Sequence, residues 1–178
     1  MRHDVRLDAD GLRLRPFTLD DVDGVLLPIA ADPVARQWSP SLARIDSAAD
    51  AAAWLENRWD TPWQHEWVVE DEQGLRAGRV GLHRHWADGD VEVGYWVLPE
   101  HRGRKVATRA AIAAARYGHD VLGLPRIGLV HAVENPASCR VAESAGFALE
   151  GTARQEFEHA DGRRYDYHHH ARLAADPW

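Results

Sequence analysis

Three cations, Arg102, Arg104 and Lys105, fall within four residues of the stretch "VLPEHRGRKVAT" (97–108), in a 178-residue chain whose formal net charge is −7. Lys105 is the sole lysine, against twenty arginines. An apolar run precedes the cluster and an alanine-rich run follows it, so the cations occupy a Gly-containing turn between a strand and a helix start. That arrangement binds phosphate. Successive backbone N–H groups and the free amides of the first helical turn converge on the anion, and the helix dipole adds to the attraction. Arginine side chains supply charge-assisted hydrogen bonds. The plainer reading of the same residues is an exposed, solvated loop.

The eleven histidines invite a metal reading. His83 and His85 share a strand face, as do His168 and His170, because side chains alternate along a strand. Two such pairs brought together could hold zinc, but no spacing here demands it. No metal is therefore expected, and these histidines are read as surface or hairpin packing.

The elements that must position these groups follow from pattern. "LRLRPF" (12–17) alternates as an opening strand. Thr18 is placed as a helix cap, with Asp20 and Asp21 in the first turn, and Asp46 or Ser47 opens an alanine-rich helix to about Arg58. "EWVVED" (66–71) and "RAGRVGLHRHW" (76–86) form a hairpin, "ADGD" (87–90) turns the chain, and "VEVGYWVL" (91–98) follows as a longer apolar strand. After the basic loop come a helix (108–122), a strand (126–133), a helix from Pro136 to Ala145, and two last strands near 147–157 and 164–173. Strand–helix–strand from 91 to 133 is a β-α-β unit, so two strands must run parallel within an otherwise hairpin-built sheet. The expected fold is a mixed α/β (α+β) sheet of six to seven mostly antiparallel strands with helices on both faces.

Length and 45% hydrophobic content fit one domain, residues 1–178. Apolar runs fall short of a membrane span and no signal-peptide pattern opens the chain, so a cytoplasmic location is expected. One cysteine, Cys139, excludes an internal disulfide framework. The acidic balance disfavours nucleic acid as a partner and favours an amine-bearing one.

The spacing at the basic loop resembles the pyrophosphate loop [QR]-x-x-G-x-[GA] of GNAT acyl-CoA-dependent N-acyltransferases. Arg102-Gly103-Arg104-Lys105-Val106-Ala107 matches at both ends, with Lys105 standing where glycine is usual. "ENPASCRVAESAGFALEG" (134–151) is similar to the N-x-x-S-x-x-V-x-E-x-x-G-F-x-x-E-G signature of the Rim-type branch, which includes N-terminal acetyltransferases of ribosomal proteins. "VEVGYW" and the closing "DGRRYDYHHHARL" (161–173) resemble the same branch.

The resemblance implies acetyl-CoA as acyl donor, an amine acceptor (a protein N-terminus or a small molecule) and no metal. A homodimer is compatible with it. It places pantetheine along Trp96, Val97 and Leu98, with an N–H near Val97 polarising the thioester carbonyl. Phosphates fall to Arg102, Gly103, Arg104, Lys105, Val106, Ala107 and Thr108, and Asn135, Ser138 and Arg140 complete the cofactor-binding set. The tyrosine that many of these enzymes use as general acid is Ala142 here. Ser138 is the implied substitute, against the plain reading of a helix serine bonded to backbone. Glu158 and Glu92 are the candidate bases. His170 falls where relatives often carry tyrosine, and the helices near Trp38 and Trp54 wall the acceptor site. A succinyl or other acyl donor, and a non-catalytic acyl-CoA-binding module, are the alternatives.

Overall fold

A computed structural model describes residues 4–59, 64–84 and 91–178. The expected turn at 87–90 and His85 lie outside those residues. Among the described residues, eight strands form one sheet in the order β1-β2-β3-β4-β5-β6-β8-β7. They are β1 (Leu7–Ala9), β2 (Leu12–Pro16), β3 (His65–Glu70), β4 (Arg76–Arg84), β5 (Val91–Val97), β6 (Arg126–Ala132), β7 (Ala148–Glu158) and β8 (Arg164–Leu173). Only β5 and β6 pair in parallel; every other neighbour is antiparallel. The eighth strand corrects the expected six to seven. Asp10 (φ 47°) and Gly11 (φ 83°) both take positive φ, a two-residue hairpin turn that folds β1 back on β2.

Helices α1 (Leu27–Ala31), α2 (Pro33–Trp38) and α3 (Ala48–Trp59) cover one face of the sheet; α4 (Val106–Asp120) and α5 (Pro136–Ser144) cover the other. With both faces covered, β3 is apolar across its middle: Trp67 and Val69 point into the α4–α5 core and Val68 into the α1–α3 core. The alanine-rich face of α4 (Ala110, Ala111, Ala114, Ala115) is fully buried. No described helix is long and apolar enough to cross a membrane.

Ser47 caps α3 as expected. Its Oγ accepts from Asp50 N at 3.1 Å, while Asp50 Oδ2 accepts from Asp46 N at 3.3 Å. Thr18 is not the cap it was expected to be. Its N–H and hydroxyl both donate to Asp21 Oδ2, at 2.9 and 3.0 Å, and the chain then enters a π-helical turn, Val22–Leu26. Arg15 grips the same carboxylate through both terminal nitrogens (2.7 and 2.8 Å), and Arg76 Nε donates at 2.9 Å. Burial alone would raise the Asp21 pKa, but Arg15, the Thr18 N–H and Arg76 together hold it down at about 2.

Candidate functional site

Among the described residues, β5 and β6 pair only at Val91↔Ile127 and Glu92↔Gly128. Beyond these positions the two strands line opposite sides of a cavity of about 630 Å³, with Val93–Val97 on one side and Leu129–Ala132 on the other. Because side chains alternate along a strand, residues from both faces of the sheet reach this slot. At its β4 border, a Cβ on Gly78 would lie 2.1 Å from the Trp96 carbonyl oxygen, so only glycine lets the strands approach there.

The slot runs on to the basic loop at the start of α4. Gly103 (φ 75°) and Lys105 (φ 57°) are both left-handed, and Lys105 sits at the N-cap of α4. The lysine thus adopts the backbone of the glycine it replaces, a conformation that costs an L-residue roughly 1–2 kcal/mol. Arg102, Gly103, Lys105, Val106, Ala107 and Thr108 line the cavity; Arg104 is exposed outside it. The Arg102 guanidinium is already engaged: Nε donates to the Val97 carbonyl at 3.2 Å, and NH2 donates to Asp32. Asp32 in turn accepts from Val34 N and Ala35 N, capping α2, whose Val34, Ala35 and Trp38 also face the cavity.

On the α5 side, Asn135 Oδ1 caps the helix by accepting from Ser138 N at 3.2 Å, which leaves its NH2 group as the part available to a ligand. Asn135, Ser138 and Arg140 all line the cavity. Ser138 Oγ lies 2.7 Å from Tyr95 Oη, a pairing that joins α5 to β5 across the slot. Burial pushes the Tyr95 phenol well above its usual pKa, so it stays protonated. A tyrosine therefore reaches Ser138 from β5, a contribution that counting along α5 to Ala142 could not reveal.

Among the other expected residues, Trp96 and Val97 line the cavity, while Leu98 is buried in the α1–α3 core. Glu92 lies on the paired part of β5, before the strands separate, and Glu158 ends β7 opposite Arg164; neither lines the cavity. Trp38 reaches the cavity beside Tyr167, whereas Trp54 lies beneath the Arg79 guanidinium. The phenol of Tyr167, raised to about 12 by burial and by Glu156 and Glu134, hydrogen-bonds His159 Nε2 at 2.7 Å.

His168 and His170 share a strand face as expected, but they do not meet His83. His83 faces Arg79 and Glu66, and His170 is buried away from the cavity lining. His168 and His170 meet His131 of β6 and Cys139 of α5, with one ligand-capable atom from each residue within 4.8 Å of all the others. His131 itself lines the slot, and burial holds its pKa below the ordinary histidine value.

Residues 11–148 match the family model described as an acetyltransferase (GNAT) domain. The chain is 30% identical over 170 residues to the uncharacterized N-acetyltransferase YoaA of Bacillus subtilis (strain 168), covering 90% of this chain and 92% of that protein. It is 29% identical over 157 residues to the spermidine N(1)-acetyltransferase of Escherichia coli (strain K12), covering 84% and 79% respectively. In fold it is similar to RimL, the ribosomal L7/L12 alpha-N-protein acetyltransferase solved in complex with coenzyme A. That match has a TM-score of 0.84 and 18% identity, and covers 97% of this chain and 100% of that one.

Proposed function

We infer the reaction from one premise: the chain belongs to the GNAT acetyltransferase family and is an N-acetyltransferase. The reading supported best is transfer of an acetyl group from acetyl-CoA to a primary amine, either a peptide N-terminus or a polyamine-like small molecule. One observation carries it. The slot opened between β5 and β6 is continuous with the left-handed basic loop at the α4 N-terminus, so a thioester and its distant phosphates have a single path to lie along. Lys105 and Arg102 supply positive charge at the loop end, and Arg140 lines the same cavity from α5.

The acceptor must attack as a neutral amine, and an α-amino group with a pKa of about 7.7–8.0 loses its proton at little cost near neutrality. Its nitrogen adds to the thioester carbonyl carbon, the C–N bond forms and the C–S bond breaks. We assign Ser138 as the proton donor to the departing thiolate, with Tyr95 O–H resupplying the serine oxygen and solvent resupplying the phenol. Glu92 and Glu158, outside the cavity lining, have a role through ordered water at most, so we place the proton from the amine on water.

The test is a panel of amines, including spermidine and short peptides with free N-termini, incubated with acetyl-CoA or succinyl-CoA. Free thiol is followed, and products are weighed by mass spectrometry. Amine-dependent thiol release with a matching product mass is expected. Binding of acetyl-CoA without release for any amine would leave a binding module, and release with succinyl-CoA alone would replace the donor.

A further inference from the structure

The histidine cluster does not enter acyl transfer, and its hydrogen bonding is unusual. His131 Nδ1 lies 2.8 Å from the Ala132 carbonyl and His170 Nδ1 lies 3.1 Å from the Phe147 carbonyl. A carbonyl oxygen only accepts, so each Nδ1 must carry the proton. Each Nε2 is then a bare lone pair. Yet these two Nε2 atoms face each other at 3.3 Å, with both residues buried at 4% and 2% exposure. Two lone pairs held nose to nose in the interior need a cation between them.

The geometry points to a metal ion rather than to a proton alone. Imidazoles whose Nδ1–H is anchored on backbone carbonyl are oriented as metal-ligating histidines are. With Zn–N of about 2.0–2.1 Å, the edge of a tetrahedron is about 3.3–3.4 Å, which matches the His131–His170 separation. Two further donors stand nearby. His168 lies directly across from His131 in the β6–β8 register, and its Nδ1 is buried with no hydrogen-bond partner among the described residues. Cys139 approaches from α5, where its sulfur makes only a long contact, 3.7 Å, to Glu143. All four ligand atoms lie within 4.8 Å of one another.

We propose that His131, His168, His170 and Cys139 form a closed tetrahedral site for Zn²⁺ or a similar borderline-soft divalent ion. Three imidazoles and one thiolate select such an ion over Mg²⁺ or Ca²⁺, and four protein ligands leave no open position, as in a structural site. The ion would tie β6, β8 and α5 together beside the slot and so fix the helix that carries Ser138. The site stands apart from the acyl-transfer reading, which calls for no metal, and it departs from the expectation drawn from histidine spacing alone.

The test is titration of reduced, metal-stripped full-length protein with Co²⁺, then displacement by Zn²⁺. One equivalent should give intense tetrahedral visible absorption with a near-ultraviolet thiolate-to-cobalt band. Cys139→Ser should remove the thiolate band while keeping the fold. His168→Ala should weaken binding about 100-fold, as expected when one of four ligands sharing the metal's binding energy is lost. The melting temperature of the wild type, but not of a variant carrying both Cys139→Ser and His168→Ala, should rise with Zn²⁺. A pale octahedral spectrum, or uptake indifferent to both substitutions, would mean adventitious binding by surface histidines and would overturn the site. So would no uptake at all, which would leave a single proton shared between His131 and His170.

Discussion

On the α1–α3 face of the sheet, Asp21 sits fully buried with Arg15, Arg76 and the Thr18 N–H and hydroxyl around its two oxygens. On the opposite face, His131 and His170 are almost as deep, yet their two Nε2 atoms face each other with no donor between them. Both regions place polar groups in the interior, where an unmatched group is costly. Asp21 is matched by the protein's own donors, and its effect is confined to holding β2, β4 and the π-helical turn together. The histidine pair is matched only if something from outside the chain arrives. A satisfied buried network stabilises; an unsatisfied one marks a place where a ligand is expected.

The largest expected effect tests the satisfied side. Asp21→Ala leaves two arginines without their shared carboxylate and should cost about 3 kcal/mol in urea denaturation. A loss below about 1 kcal/mol would show that the network contributes no more than an ordinary surface pair.

Next comes Ser138→Ala, which should lower kcat about 100-fold, the low end for a general acid, because a thiolate leaves readily. Acetyl-CoA affinity should stay nearly unchanged, so an effect confined to KM would move Ser138 from chemistry to binding. Tyr95→Phe should show a smaller kcat loss in the same direction.

The acid limb gives a smaller effect. The folded Asp21 value, about 2, lies below its unfolded value near 3.8. Its contribution is therefore complete above about pH 4 and is lost as pH falls toward 2, amounting to about 2 kcal/mol. Asp21→Asn should flatten that part of the stability–pH curve, and a curve that keeps its slope would assign the acid loss to other carboxylates.

The smallest effect is at the loop. Lys105→Gly removes a left-handed strain of roughly 1–2 kcal/mol but adds about 0.5–1 kcal/mol of unfolded-state entropy. A net gain of about 0.5 kcal/mol is expected in the melting curve. Arg104→Glu with Lys105→Glu, which spares the Arg102 anchor, should remove most of the melting-temperature rise that acetyl-CoA produces by mass action.

Much of the fold was legible because its cues are local. Alternation marked β2, turn residues set off β3 to β5, the alanine-rich run marked α4, and the strand–helix–strand order required the parallel pair. The brief β1 was missed because its signal is the Asp10-Gly11 turn and only three residues of strand. The turn at 102–105 and the helix start after it were readable because a glycine and the alanine-rich run lie next to each other in sequence. What joins distant elements was not readable. Tyr95 meets Ser138 from 43 positions away, and His131 reaches His168 only through the register of β6 on β8. Period-two reasoning put His168 and His170 on one face but could not know which residues stood opposite them.

Arg102 carries a consequence for how the two ends of the slot communicate. Its guanidinium holds the β5 carbonyl at Val97 and the Asp32 carboxylate, and that carboxylate is also the cap of the helix bearing Trp38. An anion that draws Arg102 toward itself competes with Asp32 for the same charge. Occupancy at the loop and the order of α2 are then thermodynamically linked through one shared side chain, and by reciprocity whatever steadies α2 must alter affinity at the loop by the same factor.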